Sequence, residues 1–251
     1  MTDCIRTSSA LYPVSLRDDM PREVATAYWA GPHAEIVKQH PHLLEYIQRQ
    51  FSPTDHGYWP ATPRVGTLVA PSWRMDGFAE VRLRSLAIAA LTTPLHMRGV
   101  FLDEQNVFQR VFGHLTGPHG GRWWTAGHDD AELHRTAVLL RRRRGVSGRA
   151  FRRFVHAELG PALDAAGARD LRTYTFLPYT PLAHMTPGVS HDNPASREYH
   201  GALVIGASSR DHLVELMDSR GVSAVIGDQA RVLTAAHAYT VERSVAVIHN
   251  R

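Results

Sequence analysis

The sequence predicts an α+β protein in which two fused ferredoxin-like β-α-β-β-α-β units pack their antiparallel sheets face to face as an α/β barrel. The first observation behind this prediction is a repeat, because the element order predicted for residues 1–125 recurs in residues 126–251. The second is a set of corresponding residues in the two halves, 124 to 128 positions apart in sequence. They are Trp29 and Val155, Tyr46 and Tyr174, Gly77 and Gly201, and Asp103-Glu104 and Asp228-Gln229. Each unit alone would leave one apolar sheet face uncovered, so two units bury that surface and enclose a cavity.

The first half carries the signals of four strands and two helices. Apolar alternation predicts strands at Ser8–Val14, Leu43–Arg49, Gly77–Leu83 and Val107–Leu115. A helix is predicted from Pro21 to Gln39, because proline suits the first turn of a helix. A short helix is predicted at Ser85–Leu91. The stretch Phe51–Ser72, rich in Pro, Gly and Thr, predicts an extended loop.

The second half repeats this order after a linker at Gly117–Glu132. Its strands are predicted at Arg135–Arg142, Leu171–Leu177, Gly201–Ala207 and Val232–Val241. A helix is predicted from Ser147, as N-cap, to Ala165, and a second one at Ser209–Asp218. A Pro-rich loop at Pro178–Ser196 corresponds to the long loop of the first half.

The composition indicates a globular protein with a sizeable core, since 43% of its 251 residues are hydrophobic and 21% are charged. The net charge of +4 does not indicate a nucleic-acid partner, because the arginines are spread along the chain. Cys4 is the only cysteine, which excludes an internal disulfide and a thiolate metal site. The chain has no apolar leader and no run of about 18 apolar residues. We therefore expect a cytoplasmic monomer or homodimer without a membrane partner.

The segment Tyr28-Trp29-x-x-x-His33 carries the first candidate site. Trp29 and His33 are four residues apart and share a helix face, which places an imidazole beside a large flat ring. In a mostly apolar cavity such an imidazole can accept and return a proton, so His33 is predicted to be a general base and acid. Pro32 lacks a backbone donor and is expected to kink or end the helix just before His33. The second half has Leu159 in the place of His33, so chemistry is expected in the first half.

Further candidates follow from their positions on the predicted elements. Tyr46 lies on the next strand, where its hydroxyl could stabilise an enolate in the same pocket. His114 belongs to the last strand of the first half, and Asp103 could orient either His33 or His114. The candidates for substrate binding are aromatic residues: Tyr28, Trp29, Trp73, Phe112 and Trp124. Each candidate also has a structural alternative, as a hydrogen-bonded core histidine, a packing ring or a helix cap.

Two motifs of the first half, Tyr28-Trp29-x-x-x-His33-Ala34 and Asp103-Glu104-x-x-x-Phe108, resemble those of EthD-like members of the dimeric α/β-barrel superfamily. The second half resembles the family only in element order and hydrophobic pattern, which would make the chain a tandem form. The resemblance implies a ferredoxin-like barrel with a pocket between sheet and helices. It implies a range of activities, because relatives include polyketide and aromatic-ring cyclases, muconolactone-type isomerases, cofactor-free monooxygenases and haem-binding proteins.

The leading functional hypothesis is a cofactor-independent acid–base enzyme, a cyclase, isomerase or lyase acting on an apolar aromatic or polyketide-like carbonyl compound. His33 would move the proton, and Tyr46 or a neighbouring histidine would hold the enolate. A second hypothesis is a haem-binding member in which a histidine is the axial ligand and arginines hold the propionates. A third is a non-catalytic accessory protein that binds a small molecule. The sequence has no glycine-rich nucleotide loop and no zinc-binding His-Glu motif, so neither a nucleotide cofactor nor a dedicated metal is predicted.

Overall fold

The computed structural model describes residues 4–85, 87, 97–125, 132–181 and 186–249. This part of the chain forms nine strands: β1 (Ile5–Leu16), β2 (Leu43–His56), β3 (Gly77–Leu83), β4 (Phe108–Val111), β5 (His114–Trp123), β6 (His134–Arg142), β7 (Arg169–Phe176), β8 (Gly201–Ala207) and β9 (Leu233–Ile248). They pair in the order β3-β2-β9-β6-β8-β7-β5-β1, and β1 pairs back with β3. Strand β4 pairs with β1 beyond the end of β5. Strands β4 and β5 therefore occupy the same place in the strand order of a closed barrel.

Two ferredoxin-like sheets make up this barrel and confirm the predicted fold class. The first half forms the order β5-β1-β3-β2, and the second half forms the equivalent order β9-β6-β8-β7. Antiparallel pairs between β2 and β9 and between β5 and β7 join the sheets at both edges. The predicted boundary between residues 125 and 126 adjoins residues 126–131, which lie outside the described residues, so the division at that position stays a prediction.

Helices cover the outer faces of both sheets. They are α1 (Arg22–Tyr28), α2 (Ala34–Lys38) and α3 (Arg98–Glu104) in the first half, and α4 (Gly148–Arg153), α5 (Gly160–Ala165), α6 (Arg210–Asp218) and α7 (Arg220–Gly227) in the second. The side chain of Ser147 caps α4 by accepting from the backbone N–H of Ala150 at 3.1 Å, as the predicted N-cap should. Within the described ranges, no helix is both long enough and apolar enough to cross a membrane.

A π-helical turn at Trp29–His33 joins α1 to α2, so the chain stays helical through Pro32 and does not end before His33, while the predicted kink stays a prediction. The residues flanking the turn, Tyr28 and Ala34, keep right-handed helical dihedral angles. Because a π turn is wider and bonds to the fifth residue along the chain, it tolerates a position that lacks a backbone donor. The widened turn leaves both rings in the core, with Trp29 0% and His33 3% exposed.

Gly77 and Gly201 occupy corresponding positions because aromatic side chains of the helices pack closely on the sheet there. A Cβ atom at Gly77 would lie 2.4 Å from the carbonyl oxygen of Arg49 and 2.8 Å from the ring of Trp29. At Gly201 it would lie 2.5 Å from the carbonyl oxygen of Tyr174 and 3.0 Å from the ring of Phe151. Each third strand therefore begins with the residue that lets an aromatic ring of the covering helix approach the backbone.

The barrel interior contains an ionic network as well as an apolar core, so the inner sheet faces are less apolar than predicted. Arg49 of the first half lies 3.1 Å from both Glu80 and Asp170, and Arg172 of the second half lies 2.8 Å from Glu80. Burial alone would raise the pKa of Asp170, but the guanidinium groups of Arg49, Arg172 and Arg135 hold it at about 2. The network contains both charge signs and ties the two halves together.

Several element boundaries differ from the predicted ones. Strand β2 continues to His56 where a loop was predicted from Phe51, because its outer end pairs with β9 of the other half. The predicted strand Val107–Leu115 is interrupted at Phe112 and Gly113, and β5 continues to Trp123 inside the predicted linker. The predicted helix Ser85–Leu91 falls outside the described residues apart from its residues 85 and 87.

Candidate active site

A buried histidine–aspartate pair lies between the first helix and the first sheet. The π-helical turn carries His33, and Asp103 lies near the end of α3. Nδ1 of His33 is 2.9 Å from Oδ2 of Asp103, and the two side chains are 3% and 8% exposed. The structure thus brings together two predicted catalytic residues that are 70 positions apart in sequence. It pairs Asp103 with His33 and not with His114.

Further hydrogen bonds fix the carboxylate of Asp103. The hydroxyl of Tyr28 donates to Oδ1 at 2.6 Å, and Nδ2 of Asn106 donates to the same oxygen at 3.0 Å. Burial tends to raise the pKa of Asp103, but the hydrogen bonds from His33, Tyr28 and Asn106 outweigh it and lower the pKa. An ionised carboxylate can only accept, so Nδ1 of His33 carries a proton, and in the neutral form of the ring the free lone pair is on Nε2.

Tyr46 lies on the same side of the sheet, close to Trp29. Its oxygen accepts from Nε1 of Trp29 and from Nε2 of Gln48, each at 3.3 Å. Gln48 also donates to the backbone oxygen of Trp29 at 2.6 Å, which orients its amide. Burial raises the pKa of Tyr46 to about 12, so this phenol keeps its proton at neutral pH. Both hydrogen bonds use the oxygen as acceptor, which leaves the Tyr46 proton available to a ligand.

We call Tyr28, Trp29, His33, Tyr46 and Asp103 the His33 cluster. Phe108 of β4 packs edge-on against the rings of Trp29 and His33, at centroid distances of 5.4 and 5.6 Å. The cluster thus combines a base whose N–H is held by a carboxylate, a protonated phenol and an aromatic wall. This combination can remove a proton from carbon and stabilise the enolate that forms.

Three of the other four predicted residues of the first half lie inside the barrel, on the opposite face of the sheet. His114 stacks on Phe176 at a centroid distance of 4.7 Å, and Trp73 stacks on Phe112 at 5.4 Å. Leu11, the partner of His114 across β1 and β5, belongs to the core inside the barrel. His114, Phe112 and Trp73 therefore cannot share a pocket with His33.

Trp124 belongs to neither group. It packs beside the core between the second sheet and its helices, and its Nε1 lies 3.3 Å from the hydroxyl of Thr173. The same hydroxyl lies 2.8 Å from Nδ1 of His156, a buried histidine in the π-helical turn Phe154–Leu159 that joins α4 to α5. The second half thus has a buried histidine too, but threonine hydroxyls rather than a carboxylate hold it.

Sequence reasoning missed several residues that the structure places beside the candidates. Asn106 follows Asp103 in a turn, and Gln48 alternates with Tyr46 along β2, so local spacing could have revealed both. Tyr179 and Tyr199 come from the Pro-rich loop and its end, and no sequence signal places them in the barrel. In the described ranges, no group of three or more His, Cys, Asp or Glu could hold a metal ion.

Comparison with known proteins supports the fold. No protein-family model and no curated protein sequence matches the chain. Its structure is similar to that of a Lactobacillus acidophilus protein to which monooxygenase activity is ascribed, with a TM-score of 0.57, 7% identity and 98% of each chain covered. It is also similar to an anthrone oxidase-like protein, with a TM-score of 0.56, 10% identity, and 98% and 97% coverage. A Fusobacterium nucleatum protein, again ascribed monooxygenase activity, gives a TM-score of 0.56 at 5% identity, with 98% and 94% coverage. The chain therefore has the fold of the dimeric α/β barrels, formed here within one polypeptide.

Proposed function

We propose that this protein is a cofactor-independent acid–base enzyme that acts on an apolar aromatic or polyketide-like carbonyl compound. The observation that carries the proposal is the 2.9 Å contact between His33 and Asp103, with Tyr28 and Asn106 fixing the carboxylate. We further propose that the chain is a tandem relative of the EthD-like proteins, since four residues of this cluster, Tyr28, Trp29, His33 and Asp103, belong to the two family-like motifs.

In the proposed step, Nε2 of His33 removes a proton from the carbon next to the substrate carbonyl. The electron pair of the broken C–H bond moves onto the carbonyl oxygen as an enolate. Tyr46 stabilises that oxygen with its free hydroxyl proton, and Asp103 stabilises the imidazolium. Return of the proton to a different atom gives isomerisation, while attack of the enolate carbon or loss of a leaving group gives cyclisation or lyase chemistry. A positioned base is typically worth about 10²–10⁴-fold in rate.

Molecular oxygen is a second possible reaction partner for the same enolate. The similar structures include proteins to which monooxygenase activity is ascribed and one anthrone oxidase-like protein. Anthrone carries a CH₂ group whose deprotonation yields an aromatic phenolate. That carbanion and O₂ give anthraquinone and hydroxide, and the hydroxide takes back the proton that His33 removed. Overall, anthrone plus O₂ gives anthraquinone plus water, with carbon oxidised and oxygen reduced. Assays with and without oxygen separate this outcome from simple proton transfer.

Haem fits the His33 cluster poorly. A histidine whose Nδ1–H is held by a carboxylate is a common arrangement for a metal ligand through Nε2. Phe108, however, packs against the rings of both Trp29 and His33, where a porphyrin would need a wide open slot. We therefore propose a protein that works without haem, and we expect haem titration to leave the Soret band of free haem unshifted.

Deuterium exchange into anthrone and 2-tetralone, followed by NMR in D₂O under argon, tests the proposal. Wild-type protein should accelerate exchange at the carbon that loses the proton. The exchange rate with His33→Gln should be at least about 10²-fold lower than with wild type. His156→Gln is the matched control, because His156 is equally buried on the equivalent helix of the second half. Exchange on neither ketone, or equal exchange by wild type and His33→Gln, would contradict the assignment.

A further inference from the structure

One end of the barrel interior holds buried polar atoms that have no hydrogen-bond partner among the described residues. They are Nε1 of Trp73, Nε of Arg110, both ring nitrogens of His114 and Nε of Arg141. Buried polar groups in proteins are nearly always hydrogen-bonded, because an unsatisfied one loses its hydration without compensation. His114 is 1% exposed and has neither nitrogen satisfied, although a carbon ring would fill the same space.

Trp73 and Tyr199 link three arginines at this end of the barrel. The guanidinium carbon of Arg110 lies 4.5 Å from the Trp73 ring centroid, and that of Arg197 lies 4.7 Å from the same ring. Arg141 lies 5.4 Å from the ring of Tyr199 and donates to the backbone oxygen of Arg197 at 3.0 Å.

Aromatic rings connect His114 to the same group. Tyr179 lies 5.4 Å from His114 and 6.2 Å from Phe112, which in turn stacks on Trp73 at 5.4 Å. We call Trp73, Arg110, Phe112, His114, Arg141, Tyr179, Arg197 and Tyr199 the barrel-end cluster. The contacts make it one continuous lining of rings and cations.

The three arginines of the barrel-end cluster outnumber the two carboxylates near it, which are Asp192, beside Arg110 and Tyr179, and Glu198, which accepts from the backbone N–H of Tyr179. Arg110, Arg141 and Arg197 form no ion pair with any described carboxylate. Burial lowers the pKa of Arg110 and Arg141, yet a guanidinium group stays protonated in proteins. The ionic network deeper in the barrel, by contrast, pairs its arginines with Glu80 and Asp170. A half-buried cation without an ion-pair partner is costly, so this end of the barrel favours an anion.

The unsatisfied atoms define what the anion must offer. The N–H groups of Trp73, Arg110 and Arg141 can only donate, so the missing partner supplies acceptor oxygens. Burial lowers the pKa of His114 to about 3, so its neutral ring has one donor and one acceptor for a ligand. Trp73 already stacks on Phe112, and Tyr179 lies edge-on to Phe112 and beside His114, so the unsatisfied atoms are surrounded by aromatic surface that suits an aromatic ligand.

We propose that the barrel-end cluster is a binding site for a planar aromatic carboxylate, separate from the His33 cluster on the other face of the sheet. Arg141 and Arg110 hold the carboxylate, the aromatic body contacts the neighbouring rings, and His114 takes a polar substituent or carboxylate oxygen. The site does not depend on the chemistry proposed for His33. A ligand there would be an effector or a second substrate portion held apart from the acid–base pair.

Calorimetric titration with 2-naphthoate and its neutral match 2-naphthamide tests this site. Wild-type protein should bind the carboxylate at least about tenfold more tightly than the amide. Arg141→Met should remove that preference, because it keeps an apolar side chain and deletes the cation. His114→Phe should weaken naphthoate binding while it preserves the stacked ring.

Two matched controls locate the binding. Arg153→Met removes an exposed arginine of α4, and His33→Gln alters the other cluster. Both should bind naphthoate within about twofold of wild type. In ¹⁵N-histidine spectra of wild-type protein, naphthoate should shift the His114 signals, which are those missing from His114→Phe.

Three results would overturn the proposal. One is no naphthoate binding to wild type at about millimolar concentration. Another is equal affinity for naphthoate and naphthamide. The third is naphthoate binding that leaves the His114 signals unchanged, or that His33→Gln abolishes while Arg141→Met does not. The comparison of naphthoate with naphthamide uses only unmodified protein, so an unfolded variant cannot obscure that result.

Discussion

Asp103→Asn is the substitution for which the structure gives the sharpest expectation. Three donors converge on the carboxylate, with Oδ1 accepting from Tyr28 and Asn106 and Oδ2 accepting from His33. Asparagine is nearly the same size but has one acceptor oxygen, so its amide group must face at least one of these donors. Hydrogen bonds to a charged group contribute about 1.5–3 kcal/mol each, so the variant should lose about 2–4 kcal/mol of its free energy of unfolding.

The pH dependence of this loss is a second, independent signature. The folded protein lowers the pKa of Asp103, so its carboxylate contributes stability above the unfolded pKa of about 3.9. That contribution disappears as the pH falls through the lower pKa of the folded state. The difference between wild type and Asp103→Asn should thus be full near pH 7 and should shrink below about pH 3.

Urea unfolding followed by circular dichroism at both pH values measures these differences. Asp228→Asn is the control, because the Asp228 carboxylate is 61% exposed and pairs only with an exposed arginine. The control should change stability by less than about 0.5 kcal/mol at either pH. A difference for Asp103→Asn that is absent at neutral pH, or is equally large in acid, would refute the assignment of an ionised, triply bonded carboxylate.

Four further predictions follow from the same contacts. Tyr46→Phe should slow ketone exchange by at least about tenfold in the NMR assay, because it removes the phenol proton, and a rate equal to that of wild type would exclude Tyr46 from the reaction. Asp170→Asn should cost about 3–5 kcal/mol in urea unfolding, since it leaves buried guanidinium groups unpaired, and a loss below about 1 kcal/mol would show that the network is dispensable. His114→Phe should keep or raise the melting temperature in calorimetry, because it removes two unsatisfied nitrogens, whereas a large drop would mean that the imidazole has a structural partner. Gly77→Ala should lose about 1–3 kcal/mol in thermal unfolding because its Cβ would meet Arg49 and Trp29, while Gly221→Ala, with open space around it, should be neutral or stabilising.

The sequence predicts the repeat and the barrel because local patterns determine them. The alternation of Gly77–Leu83 and Gly201–Ala207 matches strands β3 and β8 at both ends. The same alternation predicts the wrong solvent exposure for residues on the inner face of the sheet. Glu80 and Arg172 look like solvent-facing residues on half-buried strands, but the barrel closes over them and buries both. Only the pairing of β2 with β9 and of β5 with β7, which joins distant parts of the chain, reveals that burial.

The sequence predicts several residues of the candidate site, but it does not predict which of them lie next to each other. Trp29 and His33 share a helix face, so local spacing is enough to associate them. The choice of His33 or His114 as the partner of Asp103 depends on which face of the sheet each side chain takes. The interruption at Phe112 and Gly113 breaks the alternation through which sequence could have decided it. Tyr179 reaches the barrel from a long loop, and loop paths depend on tertiary contacts rather than on local pattern.

The most direct test of the central claim is the protonation state of His33 in ¹⁵N-histidine spectra, read without any substrate. Our account predicts a proton on Nδ1 and a bare Nε2, the nitrogen that would act as the base. The His33 signals are identified by their absence in His33→Gln, and they should change in Asp103→Asn, where the ionised acceptor is gone. A proton on Nε2 in the wild-type protein, or a His33 spectrum unaffected by Asp103→Asn, would contradict the account.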